Sequence, residues 1–206
     1  RNGPVREVPV PTVFSLLHPT QRVIDLPKRN CNPFFHVAET VWMLGGSCDV
    51  RFVEKFNKRY RNYADDGTVV VWGASGHRWM NGFGIYQFKT VVNRLKTNPA
   101  DRQCVLQMWK ANLDLSPGNH NDRPCNTQIM FRINSRTDKL DMLITNRSND
   151  LIWGAMGANV VHFSYLHELV ASAAGVPLGW MRTISNNLHV YMELEGLQDI
   201  LDEARL

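Results

Sequence analysis

The chain has 206 residues, of which 44% are hydrophobic and 20% charged, and its formal net charge is +4. This size and composition are typical of a single globular domain over residues 1–206. No apolar run approaches the roughly 18 residues that a membrane span needs, and the N-terminus does not resemble a signal peptide. We therefore expect no membrane association.

The four cysteines are Cys31, Cys48, Cys104 and Cys125. Their spacing matches neither a zinc site nor a disulfide framework, so we expect no metal and a reducing cytoplasm. The arginines are scattered along the chain, whereas a duplex-binding surface usually shows a local basic cluster. Scattered guanidinium groups suit a small anionic ligand that several segments bind together, and nucleic acid is not the expected partner.

The first strong helix signal is at Asn32-Pro33. Asparagine is a good N-cap and proline suits the first helical position, while Gly45-Gly46 marks the end. Residues 1–31 predict short strands and loops. The other elements expected up to residue 96 are a charged helix over 49–63, a β-rich run over 68–72, a glycine-bearing loop over 73–79 and a helix over 84–96.

The second half of the chain predicts a similar mixture. Residues 105–109 indicate a strand, and the runs 125–133 and 140–146 predict a β-hairpin. A long helix is expected over 159–174 with its end at Gly175, then an extended stretch over 181–191 and a terminal helix. Because strands and helices do not alternate regularly, the predicted fold class is α+β.

Glu39 is unusual within the first predicted helix, since Phe35 and Trp42 flank it on the same face. A carboxylate on an apolar face is costly to bury without a partner. Such burial raises the pKa of a carboxyl group toward a value useful for proton transfer. The alternative is a partly exposed glutamate at the edge of the face.

Cys125 follows Arg123-Pro124 and directly precedes a predicted strand. A nearby cation lowers the pKa of a thiol, and the thiolate is the reactive form. Cys125 is therefore a candidate nucleophile, although a cysteine is more often a small buried apolar residue.

Four segments then follow one another in a specific order: Glu39 in a helix, Pro124-Cys125 before a strand, 146–150 (Asn-Arg-Ser-Asn-Asp) after a strand, and 188–191 (Leu-His-Val-Tyr) near the end. With the Asn-Pro-Ala-Asp-Arg run at 98–102, this order resembles the thymidylate synthase and deoxycytidylate hydroxymethylase superfamily, in particular its phage-type members. The resemblance covers about residues 32–195. It implies a mixed sheet flanked by helices, a location in the host cytoplasm if the protein is phage-encoded, and a homodimer with shared active sites.

The resemblance also implies a role for each matching residue. Cys125 would add to C6 of a pyrimidine nucleoside monophosphate, which activates C5 toward a one-carbon unit from 5,10-methylenetetrahydrofolate, and Glu39 would move protons. The remaining residues fall into three groups: phosphate contacts at Arg147, Ser148 and, from the partner subunit, Arg102; base and sugar contacts at Asn159, His189 and Tyr191; and folate contacts at Asp150 and Trp79. We add Arg123 as a further charge beside the cysteine.

Three departures from the synthase pattern bear on the product. Asn126 follows the cysteine where synthases usually have histidine, and the loop before Asn159 is one residue longer, which makes Ala158 a rival for base recognition. The chain also ends soon after Tyr191, whereas synthases carry a longer tail that closes over folate and excludes water. Water entry would give a hydroxymethyl product, so hydroxymethylation is expected ahead of methylation.

Two other functions remain open at this point. A thymidylate synthase would methylate dUMP to dTMP with the same residues. A non-catalytic nucleotide- or nucleic-acid-binding protein on the same fold would show salt-dependent duplex binding, and a purely structural role leaves Glu39 and residues 147–150 unexplained. The residues do not decide between uracil and cytosine, or between ribose and deoxyribose.

Overall fold

The structure is a computed structural model that describes residues 3–24, 26–118 and 120–203. Within these residues there are eight strands and seven α-helices. The strands are β1 (Val5–Glu7), β2 (Thr12–Leu16), β3 (Val105–Gln107), β4 (Asn126–Ile133), β5 (Leu140–Asn146), β6 (Asn149–Asp150), β7 (Leu178–Ser185) and β8 (Leu188–Tyr191). The helices are α1 (Pro33–Leu44), α2 (Val50–Val53), α3 (Ser75–Met80), α4 (Gln87–Thr97), α5 (Ala111–Asp114), α6 (Asn159–Ala174) and α7 (Leu197–Glu203).

The strands form two sheets. The larger has the order β2-β7-β5-β4-β3, in which only the β5–β7 pair is parallel. The smaller has the order β1-β8-β6 and joins the start of the chain to its end. This mixed arrangement with flanking helices confirms the predicted α+β class.

Helix α6 packs against both α1 and α4, and α4 and α6 contact the larger sheet at β3 and β7. Inward residues alternate along the strands, as the two-residue repeat of a half-buried strand requires. Ile129 and Phe131 on β4 and Met142 and Ile144 on β5 are nearly inaccessible to solvent. They form the main core with Leu166 of α6.

Helices α1 and α6 have the predicted bounds. The side chain of Asn32 accepts a hydrogen bond from Phe35 N and caps α1. Helix α6 ends at Gly175, whose φ of 77° lies in the left-handed region that favours glycine. The hairpin is also confirmed, with Asn126 opposite Asn146 and Ile133 opposite Leu140.

Three local predictions were wrong. Residues 49–63 do not form one helix, because Asn57 starts a separate 3-10 segment (Lys58–Tyr63) after α2 has ended. The run 68–72 contributes only isolated bridges at Val70 and Val71. The expected glycine-bearing loop contains α3, whose Gly76 lies directly against the carbonyl of Met43.

A buried ion pair joins α3 to α5. Arg78 Nη1 and Nη2 donate to the two carboxylate oxygens of Asp114 at 2.6 and 2.8 Å. Arg78 also donates to the carbonyls of Met108 and Trp72. This arginine is therefore structural, since its donors are all directed into the protein interior.

Replacing Asp114 with Asn should destabilise the fold strongly, because it leaves the Arg78 charge buried without its counter-ion. The expected loss in the free energy of unfolding is about 3–5 kcal/mol, measured by urea denaturation. The exposed Glu195 provides the control, and Glu195→Gln should change stability by less than about 0.5 kcal/mol. Equal stability of the two variants would show that the ion pair contributes nothing.

Candidate active site

Cys125 lies at the entrance to β4, with its side chain exposed at the edge of an open cleft of about 240 Å³. The hairpin continues for one more hydrogen bond beyond the strands, from Arg147 N to Cys125 O at 2.9 Å. The cleft is bounded by α1, the residues before β4, and the segment that leads into α6. Its polar lining includes Glu39, Asp122, Cys125, Asn149, Asp150, Asn159 and His162.

Arg147 fixes the backbone around the cysteine. Its Nε donates to Pro124 O at 3.0 Å and its Nη2 to Arg123 O at 3.4 Å, while the guanidinium lies 5.4 Å from the centre of the Trp109 ring. The Arg147 side chain is thus held by the backbone that precedes Cys125, and part of it is exposed to solvent. Arg123 donates to the carbonyls of Ser116 and Gly118 and lines the same cleft.

Glu39 is buried, with 7% of its surface exposed, but its surroundings are not purely apolar. His162 Nε2 lies 3.0 Å from Glu39 Oε2. Burial alone would raise the pKa of Glu39, but the interaction with His162, followed by those with Tyr60 and His36, outweighs it and holds the pKa below its usual value. The expectation of a raised pKa was therefore wrong, because the helix face brings Glu39 to polar partners from other segments.

Tyr60 is the hydroxyl donor of this group. Burial, with the negative charge of Glu39 as the next cause, raises the pKa of Tyr60 well above its usual value. The hydroxyl therefore keeps its proton over the whole physiological pH range and can stabilise the ionised form of Glu39.

A chain of hydrogen bonds between small polar side chains connects the cysteine to the base of the cleft. Asn126 Nδ2 donates to Asn146 Oδ1. Asn146 Nδ2 and Asn149 Nδ2 both donate to Ser185 Oγ, at 3.3 and 3.2 Å. Asn159 Nδ2 then donates to Asn149 Oδ1 at 3.0 Å. Asn126 is thus an interior structural residue, and the orientation of the Asn159 amide is fixed through its neighbours.

Ala158 and Asn159, the two candidates for base recognition in the sequence, both line the cleft. Ala158 offers no side-chain polar atom, whereas Asn159 presents a carboxamide. The geometry therefore favours Asn159 as the residue that recognises a base. The segment before it, Leu151–Ala158, is π-helical, with a break at Met156 and Gly157.

Asp150 is the N-cap residue that directly precedes this π-helical segment, and it lines the cleft. Its Oδ1 accepts a hydrogen bond from Trp153 N, while its Oδ2 is buried without a partner among the described residues. Burial raises the pKa of Asp150, and the backbone N–H donors and His189 only partly oppose this. Trp153 lines the same wall and is half exposed, at 50%.

Ser148, His189 and Tyr191 form a separate group outside the cleft wall. The parallel pairing of β6 with β8 places Asp150 opposite His189. Ser148 Oγ lies 3.5 Å from His189 Nδ1, and the rings of His189 and Tyr191 meet edge to face at 5.2 Å. The three side chains are close enough to one another to contact a single ligand.

Trp79 does not lie at the site. It is completely buried, contacts Met108 and packs at 6.1 Å from the ring of Phe163. The expectation that it contacts folate is wrong in this arrangement, because its indole fills the core. Trp153 is a half-exposed aromatic residue that does line the cleft. Arg102 is exposed and does not line the cleft of its own chain.

The sequence reasoning missed His162, Tyr60 and Trp153. His162 follows Asn159 by three residues on α6, a spacing that places both on one helix face, so this signal was present. Imidazole nitrogens of His36 and His162 and a carboxylate oxygen of Glu39 lie within 4.8 Å of one another, a spacing that a metal ion could also use. The direct approach of His162 to Glu39 accounts for their proximity without one.

A protein-family model described as Thymidylate synthase matches residues 26–204. The chain belongs to the thymidylate synthase family. It is 49% identical over 194 residues to the deoxyuridylate hydroxymethyltransferase of Pseudomonas phage M6, an alignment that covers 94% of this chain and 54% of the relative. The corresponding protein of Bacillus phage SP01 is 37% identical over 196 residues, with 90% and 50% covered.

A thymidylate synthase from Francisella tularensis subsp. holarctica is 28% identical over 167 residues, with 75% of this chain and 60% of the relative covered. The chain spans about half the length of the phage relatives it matches. How the site closes therefore does not follow from the position of the last residue. Among the described residues, no helix combines the length and apolar character required to cross a membrane.

Gly154 should be essential to the geometry of the site. A Cβ at this position would lie 2.4 Å from Asn149 Oδ1 and 3.0 Å from Asn159 Nδ2, so Gly154→Ala would separate the two amides. We expect nucleotide affinity to fall by about tenfold or more, as for the loss of a well-oriented polar contact, measured by calorimetric titration. Gly67→Ala is the control for folding, since a Cβ there meets no atom within 4 Å, although its φ of 72° costs some stability.

Proposed function

We propose that this chain forms one catalytic domain that hydroxymethylates C5 of dUMP, with 5,10-methylenetetrahydrofolate as the one-carbon donor. The observation that carries the proposal is the meeting of Cys125, Glu39 and Asn159 in one cleft. A nucleophile, a proton-transfer group and a base-reading amide are the three groups that substitution at C5 of a pyrimidine requires. The names of the phage relatives, deoxyuridylate hydroxymethyltransferases, support the same reaction.

Asn159 supports uracil as the base. Within the described part of the chain, Asn159 Nδ2 donates a hydrogen bond to Asn149 Oδ1, which leaves the Asn159 Oδ1 atom and one N–H for a ligand. Uracil offers N3–H and O4, which match an acceptor beside a donor. Cytosine needs the reverse order, which would turn Asn159 Oδ1 toward Asn149 Oδ1, two acceptors in contact.

The phosphate and the sugar have candidate ligands beside the cleft. Arg147 is cationic and held by the carbonyls that flank Cys125, and Ser148 is the next residue along the chain. An arginine with exposed N–H donors suits a phosphate monoester. His189 and Tyr191 would contact the sugar hydroxyl from the neighbouring strand.

The residues on the cleft wall fit a folate. Trp153 presents a half-exposed indole on which a pterin ring can stack. Asp150 has a buried Oδ2 without a partner among the described residues, and this atom can hydrogen-bond a ring nitrogen of the pterin. Burial raises the pKa of Asp150. Folate would supply the one-carbon unit at the oxidation level of formaldehyde, and these residues would orient it toward C5.

A second candidate function is methylation of dUMP by the same residues, as in the thymidylate synthases at lower identity. The two reactions differ after the one-carbon unit has joined C5, since methylation needs a hydride and produces dihydrofolate. A non-catalytic role would not explain why an exposed thiol, a buried carboxylate and an oriented amide meet in one cleft.

Replacing Cys125 with Ala should abolish turnover while nucleotide binding remains. The expected loss in kcat is about 10³-fold or more, as for removal of a covalent nucleophile, measured by mass analysis of the nucleotide after incubation with methylenetetrahydrofolate. Cys31→Ala is the matched control, because Cys31 is a half-buried thiol outside the cleft lining. A methyl product with dihydrofolate would contradict hydroxymethylation, and turnover by Cys125→Ala would contradict the covalent mechanism.

We also propose a homodimer. Val13, Leu143 and Ile184 lie on the face of the larger sheet opposite the core residues and are exposed or half-buried. Arg102 lies away from its own cleft, so a role at the phosphate requires a second subunit. The same arrangement is the one that the family resemblance implies.

Subunit mixing tests this assembly. Cys125→Ala and Arg102→Ala should each be poorly active alone, and their mixture after joint refolding should recover about one quarter of the wild-type activity, because half of the dimers then carry one intact site. Activity is measured by product formation, and a mixture of Cys125→Ala with Arg136→Ala provides the control for an exposed arginine. No recovery together with a monomeric mass by sedimentation would refute the shared site.

A further inference from the structure

His162 is a buried polar residue of the cleft that the reaction outlined above does not use. It lies in the first turn of α6, with 6% of its surface exposed, and lines the cleft together with Cys125. Its Nε2 lies 3.0 Å from Glu39 Oε2, yet neither atom completes a well-aligned hydrogen bond within residues 3–24, 26–118 and 120–203. Both atoms therefore retain hydrogen-bonding capacity that a third group in the cleft could use.

Several polar groups surround Glu39, and His162 has the largest effect of these groups on its pKa. Tyr60 approaches from the 3-10 segment, and His36 lies one turn earlier on α1, with its ring 6.3 Å from that of His162. Burial lowers the pKa of His36, and His162 and Arg29 add to this effect while Glu39 opposes it. Of the groups that hold the pKa of Glu39 low, His162 acts most strongly.

We propose that His162 is a positioning residue that holds Glu39 as an ionised base beside the water molecule that attacks the C5-methylene group. This inference rests on the proposed hydroxymethylation and names the residue that prepares its last chemical step. Glu39 Oε2 and His162 Nε2, two buried polar atoms without aligned partners in the cleft that Cys125 also lines, provide hydrogen-bonding groups for that water.

The step balances without an oxidant or a reductant. After tetrahydrofolate has left, the nucleotide bound to Cys125 carries an exocyclic C5=CH2 group. The water oxygen bonds to the methylene carbon and gives one proton to the Glu39 carboxylate, while the C5=CH2 π pair moves into the ring as an enolate. The enolate pair then forms C5=C6 as the bond from C6 to Cys125 Sγ breaks, which releases the thiolate and the hydroxymethyl nucleotide.

The test compares His162→Leu and His162→Gln over a range of pH. Leucine removes the imidazole with both of its ring nitrogens, whereas glutamine retains a hydrogen-bond donor. With His162 removed and burial unchanged, the pKa of Glu39 rises, and the proton-accepting carboxylate is lost at a higher pH as the solution is acidified. For His162→Leu we expect the acidic limb of kcat to move upward by about one pH unit or more, and kcat at its optimum to fall by about tenfold or more.

His162→Gln should recover part of both effects, and KM for the nucleotide should stay within about threefold of the wild-type value, since the proposed contact is to Glu39. His167→Gln is the matched control. His167 is a buried histidine on the same helix, with Nε2 2.7 Å from Leu140 O and no place in the cleft lining. Its replacement should lower the unfolding temperature without moving the acidic limb.

The outcomes separate this inference from the function on which it depends. An unmoved acidic limb in a folded His162→Leu protein that still produces the hydroxymethyl nucleotide would overturn the role of His162 alone. A methyl product from the unmodified protein would overturn the proposed function itself. If His162→Leu fails to fold, the same pH profile of His162→Gln decides, because a limb identical to that of the wild type and an unchanged kcat would sink the proposal.

Discussion

The hydrogen bond from Arg147 N to Cys125 O sets the arrangement of the whole site. It is the last contact of the β4–β5 hairpin, and its register places the start of one strand beside the end of the other. Because side chains alternate along strands, a shift of one residue would move each side chain to the opposite face. The register shifts by one residue between Asn126 and Gln128, so the pairs that bury Ile129 and Ile144 are separated from this end of the hairpin by a bulge. The pairing of Asn126 with Asn146 is the one that brings the backbone of Cys125 to that of Arg147.

From this point the site extends inward through neutral amides. Asn126, Asn146, Asn149 and Asn159 meet around Ser185 and satisfy one another's donors and acceptors. Neutral carboxamides are much less costly to bury than ions, and a fully connected network of them has one preferred orientation. The interior can therefore hold the base-reading amide in position without a buried charge, which leaves charge to the phosphate and to Glu39.

The parts of the fold that could be predicted from the sequence carry their signals locally. Asn32 caps α1, Gly175 ends α6, and the alternation on both sides of a polar turn defines the hairpin. The errors arose where a tertiary contact decided the outcome. Trp79 is an aromatic residue that either a core or a ligand could accept, and the packing of Phe163 against it places it in the core.

In the candidate site, too, local features could be predicted from the sequence and tertiary contacts could not. Cys125 and the run from Arg147 to Asp150 are adjacent through the hairpin, so a sequence pattern can reveal them together. The environment of Glu39 cannot be found in that way, because its partners come from three different segments. Glu39 has Phe35 and Trp42 near it in the helix, and these predicted a raised pKa, whereas His162 approaches only when α6 packs on α1.

Two of the carboxyl groups that line the cleft, those of Glu39 and Asp150, have pKa values shifted in opposite directions. The pKa of Glu39 is lowered because polar and cationic partners outweigh its burial, and that of Asp150 is raised because burial outweighs its backbone donors. Two carboxyl groups whose environments separate their pKa values can serve as base and acid at the same pH. In the function proposed above, Glu39, which lines the cleft with Cys125 and His162, is the proton acceptor for chemistry at the pyrimidine. Asp150, beside the exposed Trp153, is the more readily protonated group, suited to hold a proton toward a ring nitrogen of the one-carbon donor.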